Sequence, residues 1–502
     1  MLVAALAAGP GAVAPAATRP RSVPPWRSHT ALLDAGAPAS HELAAHSGAL
    51  GTLARAIDLA IVASPERARA FAGAGIPVAL ALDVNRCAGS RGAAAFGYED
   101  AIGADAGAEP DCSNRARWTD DAFYHVGSDV LFEPTGGGGP FGALGNPARA
   151  AFRSAAVSAM RGALGAAAPL SSAAPAAFFL RDVASPDEIG AACVASETPK
   201  LPFSCTDTDD VSSADGAADW LQGETQLIHG APRPVYLDGL AAYDTDPAGT
   251  HHAAAEIAHL AREANVAGAA CDDCFYAGDF TRLGYQVRSA MAFVAAGKRV
   301  IAIDEGPRGA PRFAPTPPRS RTTALAAIAL FYDYDLTYLA SRSCGTVSGI
   351  AVCPEATLVF REPAATVTNP ERLRDASGAY RRAFGSCAIG GVDYGPCLAL
   401  VNAKPYAVIE RDLPVALAAP DPAVSDVAAR ASAPGPVAGT SAYPYSLVAK
   451  GYALPTGYGD APGTLAFHPL GAADTDAATE RLHLPAESGT ILFRSAMPAP
   501  QP

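Results

Sequence analysis

Lysine is scarce in this 502-residue chain. Lys200, Lys298, Lys404 and Lys450 are the full set, so 37 − 4 = 33 of the basic residues are arginine. Acids outnumber bases 50 to 37, a formal net charge of −13. A nucleic-acid binder needs clustered Lys and Arg to neutralise phosphates, and an anionic membrane surface attracts the same sign of charge; the balance argues against both. Charged residues are only 17% of the chain and apolar ones 49%. That is enough apolar material for a large core, which excludes a mostly disordered chain. No apolar run after the N-terminus approaches the roughly 18–20 residues that span a bilayer, so no membrane span is expected.

Several catalytic signatures are also missing. There is no G-x-S-x-G nucleophile elbow, no G-x-x-x-x-G-K-[ST] loop, no H-E-x-x-H and no D-x-D-x-D-G calcium loop. The Gly136–Gly139 run is not followed by Lys and Ser or Thr, so it reads as a flexible loop. No organic cofactor or metal is implied. His251-His252 opens a helix without an evident third ligand, and reads as a surface pair.

What is present starts with a bias toward Ala, Gly, Pro and Arg, which weakens Pro/Gly-rich stretches as evidence for linkers. Ten cysteines occur: Cys87, Cys112, Cys193, Cys205, Cys271, Cys274, Cys344, Cys353, Cys387 and Cys397. Taken in order they form five close pairs, the pattern of loop-stapling disulfides in an oxidising compartment. Free thiols are the alternative. Structural zinc is disfavoured, because Cys271-Asp272-Asp273-Cys274 is the only Cys-x-x-Cys. Met1–Ala17 is apolar and ends in small residues resembling a signal cleavage site, although it lacks a basic n-region. The expectation is an extracytoplasmic protein, periplasmic or secreted, with residues 1–40 a signal-like, poorly ordered leader.

From residue 56, short apolar runs alternate with helix-like segments. The strand-like runs are Ala56–Ala63, Pro77–Val84, Ser128–Glu133, Ala176–Asp182, Pro234–Asp238, Val266–Cys271, Arg299–Asp304 and Leu336–Ala340. Helices are expected from Pro65 to Gly75, from Asn146 to Leu164, and around Ala217–His229, His251–Ala264, Tyr285–Ala296 and Thr322–Phe331. Eight such units predict a (β/α)8 TIM barrel over residues 41–350. An open doubly wound sheet is the alternative, but no G-x-G-x-x-G follows the first strand. Beyond about residue 350, short β-like runs separated by Pro- and Gly-rich turns predict an antiparallel β-sandwich over 351–502. The runs are Thr357–Arg361, Cys397–Asn402, Tyr406–Glu410, Thr464–Phe467 and Thr490–Arg494.

Barrel chemistry sits at the C-terminal ends of the strands. There the chain places Asp83, Glu133, Asp182, Asp238, Asp272 with Asp273, and Asp304 with Glu305. Acids are common in loops and at helix caps, so any one of them means little. Gathered in one mouth they raise each other's pKa and need a reason. Glycosidic bond cleavage uses such acids without metal or cofactor: one protonates the leaving oxygen, the other attacks the anomeric carbon or activates water. Aromatics near these ends suit stacking on sugar faces. Phe178, Tyr236, Phe275 and Trp220 also fit core packing; Tyr243 and Tyr276 lie in loops and are the better candidates.

The order of these segments resembles the TIM-barrel glycoside hydrolases that carry a small C-terminal β-domain, a "hypothetical glycosyl hydrolase" group. The similarity runs through Phe178–Val183 (FFLRDV), Pro234–Leu240 (PVYLDGL), Gly268–Tyr276 (GAACDDCFY), Lys298–Glu305 (KRVIAIDE) and the Tyr380–Asn402 stretch ending CLALVN, over roughly residues 56 to 410. The resemblance implies an acid after the fourth strand, here Asp182, and one after the sixth, here Asp272 or Asp273. The chain departs from the pattern twice: Val183 stands where a second acid often follows, and the sixth-strand acid is Asp where Glu is common. Two readings follow. One is a secreted glycoside hydrolase acting on a polysaccharide or oligosaccharide, with Asp182 as nucleophile or base, Asp273 or Asp272 as acid, and Asp83, Glu133, Asp238, Asp304, Glu305, Tyr243 and Tyr276 at the sugar. The other, prompted by the departures, is an inactive glycan-binding barrel in envelope or exopolysaccharide assembly. A third, a structural protein with Ca²⁺ in its acidic mouth, has less support.

Overall fold

A computed structural model of the chain describes residues 28–34, 57–62, 65–83, 143–167, 175–181, 183, 214–238, 252–271, 280–304, 318–341, 358–363, 369–389, 397–404, 481–484 and 488–493, with short paired segments between them. Eight parallel strands close into a barrel. They are β1 (His29–Asp34), β2 (Leu59–Val62), β3 (Val78–Asp83), β4 (Ala177–Arg181), β5 (Val235–Asp238), β6 (Val266–Cys271), β7 (Arg299–Asp304) and β8 (Thr337–Ser341). Each pairs with its neighbours in chain order, and β1 closes the ring onto β8. The helices are α1 (Pro65–Gly73), α2 (Ala150–Ala167), α3 (Ala214–Gly230), α4 (His252–Leu260), α5 (Phe280–Ala295) and α6 (Pro318–Phe331).

The barrel is as expected, but its strand list needs two corrections. The first strand, His29–Asp34, lies inside the segment expected to be an unordered leader. It pairs with both β8 and β2, so the barrel starts before residue 41. The expected third strand, Ser128–Glu133, is not a barrel strand. Of that run the described residues are Asp129–Val130, which pair in a two-stranded antiparallel ribbon with His125–Val126 between β3 and α2. The side chain of Asn146 caps the turn leading into α2, accepting from the Ala148 amide at 2.9 Å.

Strand alternation sorts the core into two shells. Twelve residues fill the barrel interior; six are alanines, and the others are Leu59, Ile61, Phe179, Tyr236, Ile301 and Tyr338. Small and large side chains from different strands share that interior among the described residues. Residues of the other parity, such as Phe178, Leu180, Val235 and Leu237, belong to the outer shell under the helices. Each large side chain buried this way contributes about 1.5–3 kcal/mol.

After β8 the chain enters an antiparallel β domain. Its larger sheet runs β9 (Leu358–Pro363), β10 (Tyr380–Ile389), β11 (Cys397–Asn402), then Ser488–Phe493, Pro444–Tyr445 and His468–Pro469, with Val392–Asp393 pairing alongside β10. The smaller sheet joins β12 (Val408–Glu410), β13 (Arg481–Leu484) and Thr475–Asp476; Ser488–Phe493 is β14. Cys387 and Cys397 form a disulfide between β10 and β11, one of the pairs expected from spacing. The run Thr464–Phe467 lies outside the described residues. Among the described residues, no helix is long and apolar enough to cross a membrane.

Candidate active site

The closed ring fixes where every strand ends. At the C-terminal rim, β3, β5 and β7 finish in Asp83, Asp238 and Asp304. Asp83 stands opposite Arg181 in the β3–β4 register, and Asp304 opposite Ser341 in β7–β8. Asp83 is two residues past Ala81, which lines the interior; Asp304 is two residues past Ala302, which packs outward. Asp238 is two residues beyond the inward-facing Tyr236 and only 3% exposed. Its backbone carbonyl accepts from the Val183 amide at 2.7 Å, which holds the chain just after β4 against the end of β5. Asp182, Asp272, Asp273, Glu133, Glu305, Tyr243 and Tyr276 lie outside the described residues. Of the other aromatics considered for sugar stacking, Phe178 and Trp220 are buried in the outer shell and Tyr236 in the barrel interior, so all three are core.

The opposite rim carries a polar cluster that sequence reasoning missed. Arg299 opens β7 and donates from Nη1 to the Tyr236 hydroxyl at 3.0 Å, with its guanidinium 5.4 Å from the Tyr338 ring centroid. His29, the first residue of β1, stacks on Tyr338 at 5.0 Å. Its Nδ1 lies 3.6 Å from Asp58 Oδ2, which also accepts from the Thr30 amide. Burial pushes the Tyr338 phenol up to about 12, partly offset by Arg299, so it stays protonated at neutral pH. All of these residues stand at N-terminal strand ends, where barrels invest in stability.

A second missed residue is Glu224 in α3. It sits in the buried stripe of that helix with Ala217, Trp220, Leu227 and Ile228, a 3.6-residue periodicity with one carboxyl in it. Glu224 is 1% exposed and its Oε2 has no hydrogen-bond partner among the described residues. Burial alone pushes its pKa up to about 8, so the group is neutral at pH 7. Reading the apolar stripe with the acid inside it was the available signal.

No family model matches the sequence, and no curated protein does. Solved structures similar in fold include Aspergillus fumigatus Ega3 in complex with galactosamine. That match has 9% identity and a TM-score of 0.32, and covers 64% of this chain and 94% of that one. An intracellular xylanase from Thermoanaerobacterium saccharolyticum matches at 7% identity and a TM-score of 0.32, covering 62% and 85%. A GH36 α-galactosidase from Geobacillus stearothermophilus matches at 9% identity and a TM-score of 0.30, covering 93% of this chain and 55% of that one. Glycoside hydrolases recur among these neighbours, but at such TM-scores the likeness carries no argument about activity.

Proposed function

We propose that the chain is a glycoside hydrolase acting on a polysaccharide or oligosaccharide, with the mouth of the barrel as its active site. The observation that supports this most is the C-terminal rim: three barrel strands end in Asp83, Asp238 and Asp304, and Asp182, Asp272 and Glu305 directly follow the last residues of β4, β6 and β7. In this reading Asp273 or Asp272, protonated, gives its proton to the glycosidic oxygen as the bond to the anomeric carbon breaks. Asp182 attacks that carbon or takes a proton from the water that does. Asp83, Glu133, Asp238 and Glu305 hold sugar hydroxyls or tune the acid, and Tyr243 and Tyr276 stack on sugar faces; Asp304, two residues past the outward-packing Ala302, leaves this set. The protein works outside the cytoplasm, where the Cys387–Cys397 bond persists.

Asp182→Asn tests the reading. It abolishes release of reducing ends from the polysaccharide substrate and leaves the thermal unfolding curve in place; retained hydrolysis removes Asp182 from the mechanism. Val183 in place of a second acid, and Asp rather than Glu after β6, favour one rival: a barrel that binds glycan without cleaving it. Saturable binding with no reducing-end release from the unaltered protein would establish that rival.

A further inference from the structure

Helix α6 is unlike the other helices of the outer ring. Ten consecutive residues, Thr323–Tyr332, are buried. A helix packed only on a barrel buries one stripe; burial all round requires a second cover. Here the cover is the β domain. β14 runs across α6, with the Gly489 amide donating to Thr323 Oγ1 at 3.0 Å. A Cβ at Gly489 would stand 2.9 Å from the Ala326 Cβ and 3.2 Å from the Leu400 carbonyl, so only glycine allows this approach. Phe360 of β9 packs edge-on against Tyr332 at 5.1 Å, and the Tyr332 hydroxyl is 2.7 Å from Ser28 Oγ at the entry to β1.

The end of α6 is closed from the β domain too. The last carbonyls of a helix lack intrahelical partners and are usually met by water or by the amides of a C-terminal glycine turn. No glycine follows α6. Arg382 of β10, buried, donates from Nη1 to the carbonyls of Ala329 (3.1 Å), Leu330 (2.9 Å) and Tyr332 (3.0 Å). Its guanidinium carbon lies 5.1 Å from the Phe384 ring centroid. A cation at a helix C-terminus also meets the negative end of the helix dipole. A tethered accessory module would instead meet the barrel through a polar surface and fold alone.

We infer that the β domain is a structural wall of the barrel, that the two unfold as one cooperative unit, and that Arg382 is the latch between them. The inference is independent of whatever reaction the mouth performs. Native-state hydrogen exchange on the full chain, followed by mass spectrometry across a urea series, tests it. Peptides covering β4 and β5, α6, β11 and β14 should converge on a single opening with one midpoint. Arg382→Met should raise the opening constant of all of them together, by at least about tenfold for the loss of charged hydrogen bonds. Separate openings for barrel and sheet, in either order, overturn the inference. So does an Arg382→Met effect confined to the sheet. Where that variant does not accumulate, Gly489→Ala serves, because its new methyl presses on α6; the same joint or separate response decides.

Discussion

The two rims of the barrel are built from opposite materials. The C-terminal rim ends three strands in aspartate, Asp83, Asp238 and Asp304. The N-terminal rim pairs its charges and covers them: Arg299 bonds Tyr236 and faces Tyr338, and His29 lies between Tyr338 and Asp58. One rim is a row of acids at strand ends; the other is an aromatic and cationic cluster in which Arg299 is hydrogen-bonded.

That contrast can be broken by substitution. The largest effect is expected at the acidic rim: under the proposed function, Asp182→Asn should lower kcat by about 10²–10⁴-fold while the melting temperature holds. A substitution that unfolds the protein instead would erase the distinction between the rims. Next comes Arg299→Met, which leaves the buried Tyr236 hydroxyl without its donor. It should cost about 1–3 kcal/mol in urea unfolding with kcat unchanged. Tyr236→Phe removes one bond and empties no charge site, so its expected cost is about 1 kcal/mol by the same measurement.

A fourth probe is Glu224, buried within α3. Its folded-state pKa is about 8 against an ordinary value of 4.5, so the folded protein holds a proton that the unfolded chain releases. The contribution of this group to stability is then greatest below about pH 4.5, falls as pH rises toward 8, and levels off above. The slope from this group is at most about 1.4 kcal/mol per pH unit. Glu224→Gln should flatten that fall, seen as the difference between the two proteins' urea midpoints from pH 5 to 8. An unchanged profile would show that the carboxyl is not held neutral.

The fold was largely legible because parallel strands buried on both faces write themselves as apolar runs, and seven of the eight barrel strands follow such a run. β1 was hidden for a physical reason. His29–Asp34 reads HTALLD, within an Ala- and Pro-rich stretch, and only its pairing with β2 and β8 makes it a strand. The run SDVLFE had the opposite fate: strand-like locally, but on an excursion that the ring does not admit. The strand-end positions of Asp83, Asp238 and Asp304 could be found because a strand end is a local feature. The cluster of Arg299, Tyr236 and Tyr338 could not, because those residues meet only when β5, β7 and β8 curve into one interior. Glu224 was visible in principle, as an acid at the buried positions of an amphipathic helix.

The all-round burial of α6 has a cost in time. Its last residue, Phe331, is synthesised 488 − 331 = 157 residues before β14 begins. At roughly 5–20 residues per second, that interval is about 8–30 s. The Arg382 latch arrives earlier, 382 − 331 = 51 residues after Phe331, but through the full interval the part of α6 that Gly489 covers, at Thr323 and Ala326, lacks its cover. An apolar helix face left open over such an interval is surface on which aggregation can start, so the last strand of the chain closes a risk that the sixth helix opens.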